Sequence, residues 1–200
     1  MILAFFHGFL LAFSLILPLG VQNVFVFTQG AVQPRFSGAI PVIITASLCD
    51  TLLITLAVTG VSVLVLTFQF VKLLLMAGGV VFLLYMGWVY WHMKTQALHS
   101  DQEAVTIKKS ILFAMSVSLL NPHAILDTVG VIGTSSLAYQ GMEKIGFTLA
   151  CIGVSWFWFF LLALLGRIVR RLDTAPLILK WLQKGSAIVM WLSAAFLATL

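Results

Sequence analysis

The chain has 200 residues, of which 62% are hydrophobic and 8% charged, and a formal net charge of +5; its mean hydropathy is +1.12. A soluble domain of this size cannot hide that much apolar surface, so the composition reads as one membrane domain, with apolar runs of about 20 residues as spanning helices. The basic excess lies in short loops between those runs, where it reports membrane orientation and gives no sign of a nucleic-acid partner.

The first apolar run extends from Leu3 to Phe27. Met1-Ile2-Leu3-Ala4 lacks a basic leader, and the run outlasts a signal-peptide core, so it is read as the first span. The polar stretch from Thr28 to Ser37 ends it. A second span covers Gly38 to Leu66. A third runs from Lys72, which can snorkel, to Met93, with Trp88, Tyr90 and Trp91 as interfacial aromatics. The connector from Lys94 to Lys109 is the longest hydrophilic stretch and divides the chain. Beyond it come a fourth span (Ser110–Leu137), a fifth (Ile145–Gly166), the cluster Arg167, Arg170 and Arg171, and a last apolar segment reaching Leu200. Lys180, Gln183 and Lys184 occupy the early turns of that segment, and it spans if they snorkel.

The loops alternate in charge. Those after spans one, three and five hold Arg35, Lys94, Lys108, Lys109, Arg167, Arg170 and Arg171, whereas those after spans two and four hold Lys72 and Lys144. The positive-inside rule then places the first set in the cytoplasm and both termini outside it.

Setting Pro18 against Pro122 aligns Ser14-Leu15-Ile16-Leu17-Pro18 with Ser118-Leu119-Leu120-Asn121-Pro122, and Asn23 with Asp127. Three spans separate the copies. An odd number inserts the second copy upside down, as in transporters with inverted repeats. The expected fold is therefore an all-α polytopic membrane protein. Six transmembrane helices form two inverted three-helix repeats, about 1–93 and 110–200, joined by a connector at about 94–109, with helices 1 and 4 broken. A proline inside a span removes a backbone donor and clashes one turn back. In lipid the freed groups survive if buried in protein or facing a cavity. Pro18, Gly20 and Pro122 are thus the expected helix breaks, and a polar site is expected where the two breaks meet.

Asp50 and Asp127 are the carboxylates well inside spans. An ionised carboxylate at mid-bilayer costs roughly 2.5 to 3.5 kcal/mol on insertion scales. No Lys or Arg lies at comparable depth, which leaves room for a cationic ligand or a proton, although both acids could also be neutral or hydrogen-bonded structural groups. His123 stands four residues before Asp127, on the same helical face. It is either a proton relay or a neutral partner that orients the acid. Asn121 is its near neighbour. Gln22 and Asn23 follow the first break, where side-chain amides and exposed backbone N–H groups suit an amino-acid carboxylate. The expected substrate-binding set is Asp50, Asp127, Asn23, Gln22, Asn121 and His123.

Neither G-x-x-x-x-G-K-[ST], H-E-x-x-H nor G-x-S-x-G occurs, so ATP-driven or hydrolytic chemistry is not expected, nor is a cofactor or resident metal. Cys49 and Cys151 are isolated and read as buried small hydrophobes. The run Trp156-Phe157-Trp158-Phe159-Phe160 reads as lipid-facing or core packing rather than a cation cage.

At these motifs the chain resembles the lysine/arginine exporter family, the LysE and ArgO branch of the wider LysE/RhtB amino-acid exporters. The matching residues are Pro18-Leu19-Gly20-Val21-Gln22-Asn23, Phe25-Val26, Gln29-Gly30, Asp50, Asn121-Pro122-His123, Leu126-Asp127-Thr128 and Met190-Trp191. Val21 departs from the second proline usual in that branch, which implies a softer first break. The resemblance implies a non-enzymatic secondary exporter of L-lysine or L-arginine in the inner membrane, driven by the proton-motive force, and a homodimer in the bilayer. The alternatives are export of neutral amino acids or a metal cation, and an intramembrane thiol–disulfide carrier, which would need reactive cysteines beside the breaks.

Overall fold

The computed structural model describes residues 1–18, 20–60, 69–92, 107–172 and 174–198; the side chains at 69–76, 122, 123, 126, 175, 176 and 197 fall outside that description. Every regular element among these residues is helical. In chain order they are α1 (Ile2–Ile16), α2 (Val21–Val32), a single 3-10 turn (Phe36–Gly38), α3 (Ile40–Val58), α4 (Gln69–His92), α5 (Ile107–Leu119) and α6 (Pro122–Asp127). A π-helical segment, Thr128–Gly133, continues α6 into the short α7 (Thr134–Ser136), and α8 (Gly141–Val169) and α9 (Ala175–Leu197) complete the chain. The expected connector lies outside the described residues as far as residue 106, as does Lys94.

These helices satisfy their own polar groups and turn apolar side chains outward. On α3 the hydroxyls of Thr45, Thr51 and Thr55 each donate to the carbonyl four residues earlier, all at 2.7 Å. A hydroxyl with no water to bond finds that acceptor within its own helix. Leu3, Leu137, Trp181 and Leu192 are each more than 60% exposed, a surface suited to lipid. Two helical segments, Phe36–Val58 and Gly141–Val169, are long and apolar enough to cross a bilayer. The pair α1 and α2, bent by 79°, makes a third if it counts as one span.

The second span is shorter than its apolar run. Helix α3 stops at Val58 where the sequence pattern runs on to Leu66, because Gly60 turns the chain with φ +80. That conformation is open to glycine and strained for other residues.

Helix α8 is the central post. Helices α1, α2 and α3 pack along it, α5 and the π segment pack on α3, and α4 pairs with α9. The α2–α8 crossing is set by small residues. A Cβ added at Gly30 would stand 2.0 Å from the Ala163 carbonyl oxygen, and one at Gly166 2.1 Å from that of Phe27. Backbones that approach this closely exclude any side chain. Below the crossing, Arg167 of α8 donates to the carbonyls of Gln33 (2.9 Å) and Pro34 (3.0 Å). Arg170 donates to the Gln33 carbonyl as well. Two cations thereby take up carbonyls at the C-terminal end of α2, where the helix dipole is negative.

Candidate functional site

Both prolines stand where a helix is interrupted. Helix α1 gives out at Ile16, and α2 starts at Val21 with Gly20 as its N-cap, in extended backbone (φ −73, ψ 178) and with no side chain capping the first turn. Helix α5 gives out at Leu119, and Pro122 opens α6. Proline suits that first helical position, since its missing N–H would lack an intrahelical acceptor anyway.

A cavity of about 150 Å³ lies between these interruptions. Pro18 and Gly20 from the first break line it, with Gln22 and Asn23 from the first turn of α2, Asp50 from α3, and Asn121 and Asp127 from either side of α6. The structure therefore brings seven of the nine residues singled out in the sequence to one space. Pro122 starts the adjoining helix, and the His123 and Pro122 side chains lie outside the described residues. Among the described residues no Lys, Arg or His lines the cavity. Nor does any cluster of three His, Cys, Asp or Glu side chains occur among them that could hold a metal ion.

Gln22 is buried and donates through Nε2 to Asp50 Oδ1 at 3.0 Å, tying the start of α2 to the middle of α3. Asn23, also buried, turns the other way. Its Nδ2 donates to the carbonyl oxygens of Ile16 (2.6 Å) and Pro18 (2.8 Å), across the break. Asp50 and Asp127 are both partly buried and face the cavity. Gly20 is neither strained nor crowded, for a Cβ there would meet nothing within 4 Å. Its lack of a side chain leaves room in the cavity.

Three hydroxyls complete the polar lining and were not among the expected site residues: Thr128, Ser155 of α8 and Ser193 of α9. Ser155 is buried within the aromatic run of α8. A polar residue amid Val154, Trp156 and Phe157 is the sole trace it leaves in the sequence. Trp156 donates from Nε1 to Thr51 Oγ1 at 3.1 Å, next to Asp50. Phe159 is fully buried, while Phe157 and Phe160 face outward, so that run divides between packing and the lipid-facing surface. Cys49 and Cys151 are free and buried, Cys49 on α3 and Cys151 against the Gly8 carbonyl of α1.

A polar, carboxylate-bearing cavity between broken helices in an apolar bundle is the arrangement of a membrane transporter. The chain belongs to the LysE type translocator family, whose model matches residues 13–200. It is 54% identical over 193 residues to the "Putative amino-acid transporter YisU" of Bacillus subtilis (strain 168), covering 96% of this chain and 88% of that relative. It is 36% identical over 206 residues to the arginine exporter protein ArgO of Salmonella paratyphi A and of Salmonella typhimurium, covering 99% of this chain and 94% of each. No solved structure matches it.

Proposed function

We propose that the protein is a secondary exporter that moves a basic amino acid, L-arginine or L-lysine, outward across the cytoplasmic membrane. The observation that carries this reading is the placing of Asp50 and Asp127 in one cavity between two broken helices. Carboxylates cost free energy in an apolar bundle. A guanidinium or ammonium offsets that cost with charge-assisted hydrogen bonds, which a neutral side chain cannot make. Relatives named as an arginine exporter and as an amino-acid transporter support the substrate class.

In this reading Asp50 receives the substrate's side-chain cation, with Gln22 holding the carboxylate in place, and Asp127 faces the same ligand. The backbone N–H groups of the first turn of α2, left without a side-chain cap, take the substrate carboxylate at the positive end of the helix dipole. Asn121 and His123 flank the opposite break. Inward proton flow drives the cycle, with the cavity acids or His123 as carriers.

Alternating access then arises from two inverted repeats, 1–93 and 110–200, joined by the cytoplasmic connector 94–109. The packing supports it. Exchanging the halves carries the contact of α1 and α2 with α8 onto that of α5 and the π segment with α3, and leaves the α4–α9 pair unchanged. The arginines at the end of α8 and the lysines opening α9 lie in the cytoplasm, and both termini outside. Two copies pair in the bilayer.

Uptake of radiolabelled L-arginine, L-lysine, L-threonine and cadmium into inverted membrane vesicles tests the assignment. Arginine or lysine accumulation that collapses with a protonophore is the expected result. Accumulation of threonine alone or cadmium alone overturns it. Replacing both Cys49 and Cys151 with Ser leaves transport intact if the thiol–disulfide alternative is wrong.

A further inference from the structure

Where α1 ends, its last carbonyls lose their helical partners, and an unpaired carbonyl in an apolar bundle costs several kcal/mol. Asn23 answers for two of them. Its side-chain nitrogen lies 2.6 Å from the Ile16 oxygen and 2.8 Å from the Pro18 oxygen, and the latter also accepts from the Gly20 N–H at 2.8 Å. A primary amide carries two hydrogens, so both are committed to the break. The opposite rotamer is excluded, because it would set the amide oxygen against two carbonyl oxygens that can only accept. Gln22, the residue before, reaches across to Asp50 Oδ1. Two consecutive side chains thus join three pieces of the protein: the end of α1, the start of α2 and the carboxylate of α3.

We propose that Asn23 is a positioning residue. Its amide braces the broken first helix, and by fixing the first turn of α2 it holds Gln22 on Asp50; it does not donate to the substrate. The brace itself comes from the hydrogen bonds, while its consequence for a cationic substrate rests on the function proposed above. Nothing in the brace requires a titrating group, although Asp50, Asp127 and Tyr90, whose hydroxyl lies 3.5 Å from the Val21 carbonyl, are the ionisable side chains that surround the turn.

Two measurements separate the brace from the substrate assignment. The first needs no transport. Hydrogen exchange of the full chain in detergent is monitored in peptides covering residues 13–24, with a peptide from α8 as reference. Asn23→Leu keeps the size and removes both donors, and exchange in 13–24 is expected to rise about tenfold while α8 is unchanged, since two hydrogen bonds of about 1 kcal/mol are lost. Asn23→Asp at about pH 5, where a buried acid is neutral and offers one donor, is expected to exchange more slowly than Asn23→Leu. Unchanged exchange in Asn23→Leu, or equal exchange in the Leu and Asp variants, overturns the brace. The second is a double-mutant cycle on the KM for L-arginine. Asn23→Leu raises KM severalfold in the wild-type background and adds little once Gln22→Leu is present. Fully additive effects would show that Asn23 does not act through Gln22. Absence of arginine transport in the wild type would overturn the function and leave the exchange result standing.

Discussion

The two interruptions share a proline and differ in everything that surrounds it. At the first, residues 17–20 separate α1 from α2, Pro18 sits in the gap, and Asn23 spans it with two hydrogen bonds. At the second, residues 120 and 121 separate α5 from α6, Pro122 is already the first residue of the new helix, and the irregular winding falls farther on, in the π segment 128–133. The segments downstream of the two breaks differ as well. Helix α2 is clamped to α8 by Gly30 and Gly166 and held at its far end by Arg167 and Arg170. The π segment contains Gly130, where a Cβ would touch nothing within 4 Å, and Gly133, where it would lie 3.2 Å from the Ala57 carbonyl oxygen. One break is braced and bolted down; the other is wound loosely. A proline fixes where a helix is interrupted, and the donors and small residues nearby decide what shape the interruption takes.

That contrast can be broken most severely at the α2–α8 crossing. Gly30→Ala forces a methyl into backbone, and a loss of about 1 to 3 kcal/mol or more is expected, read as a lower midpoint of thermal unfolding in detergent. Wild-type stability in this variant would mean that the two backbones are not in contact. A smaller effect is expected from removing the cations at the end of α2. Arg167→Ala with Arg170→Ala costs about 1 kcal/mol, because the carbonyls they serve lose charged donors in a partly exposed place. On the looser side, Gly130→Ala is expected to be neutral or to stabilise by about 0.5 kcal/mol, since there is room and the unfolded chain loses freedom. Destabilisation as large as that of Gly30→Ala would erase the distinction between the two breaks. Smallest of all is Pro122→Ala, within about 0.5 kcal/mol, because a first-turn proline contributes little beyond its preset φ.

How much of this was legible in the sequence depends on whether a residue is out of place in its surroundings. Pro18, Pro122, Asp50 and Asp127 stand out in apolar runs because each carries a cost there, and the structure gathers the two acids at one cavity. Ser155 and Ser193 carry a small cost and belong to no motif, so their place in the lining could not be read. The end of α3 at Val58 was missed because Val, Leu and Ser run on past Gly60, and hydropathy is blind to a single positive φ. Arg167 and Arg170 were legible as loop charge; that they serve the carbonyls of a helix distant in sequence is a tertiary fact. Asn23 was legible as a polar residue beside a break. Its partners were not, since an amide can donate or accept and the pattern of residues does not say which.

The central claim is that the cavity recognises a cation through its carboxylates. Its most direct test is proton-driven L-arginine uptake into inverted vesicles carrying wild type, Asp50→Asn or Asp127→Asn at matched membrane levels. Asparagine keeps the size and removes the charge. A charge-assisted hydrogen bond is worth about 1.5 to 3 kcal/mol, so each variant should lose transport by roughly tenfold to a hundredfold while still reaching the membrane. Arginine uptake at the wild-type rate in both variants would contradict the account and leave the two acids a structural role.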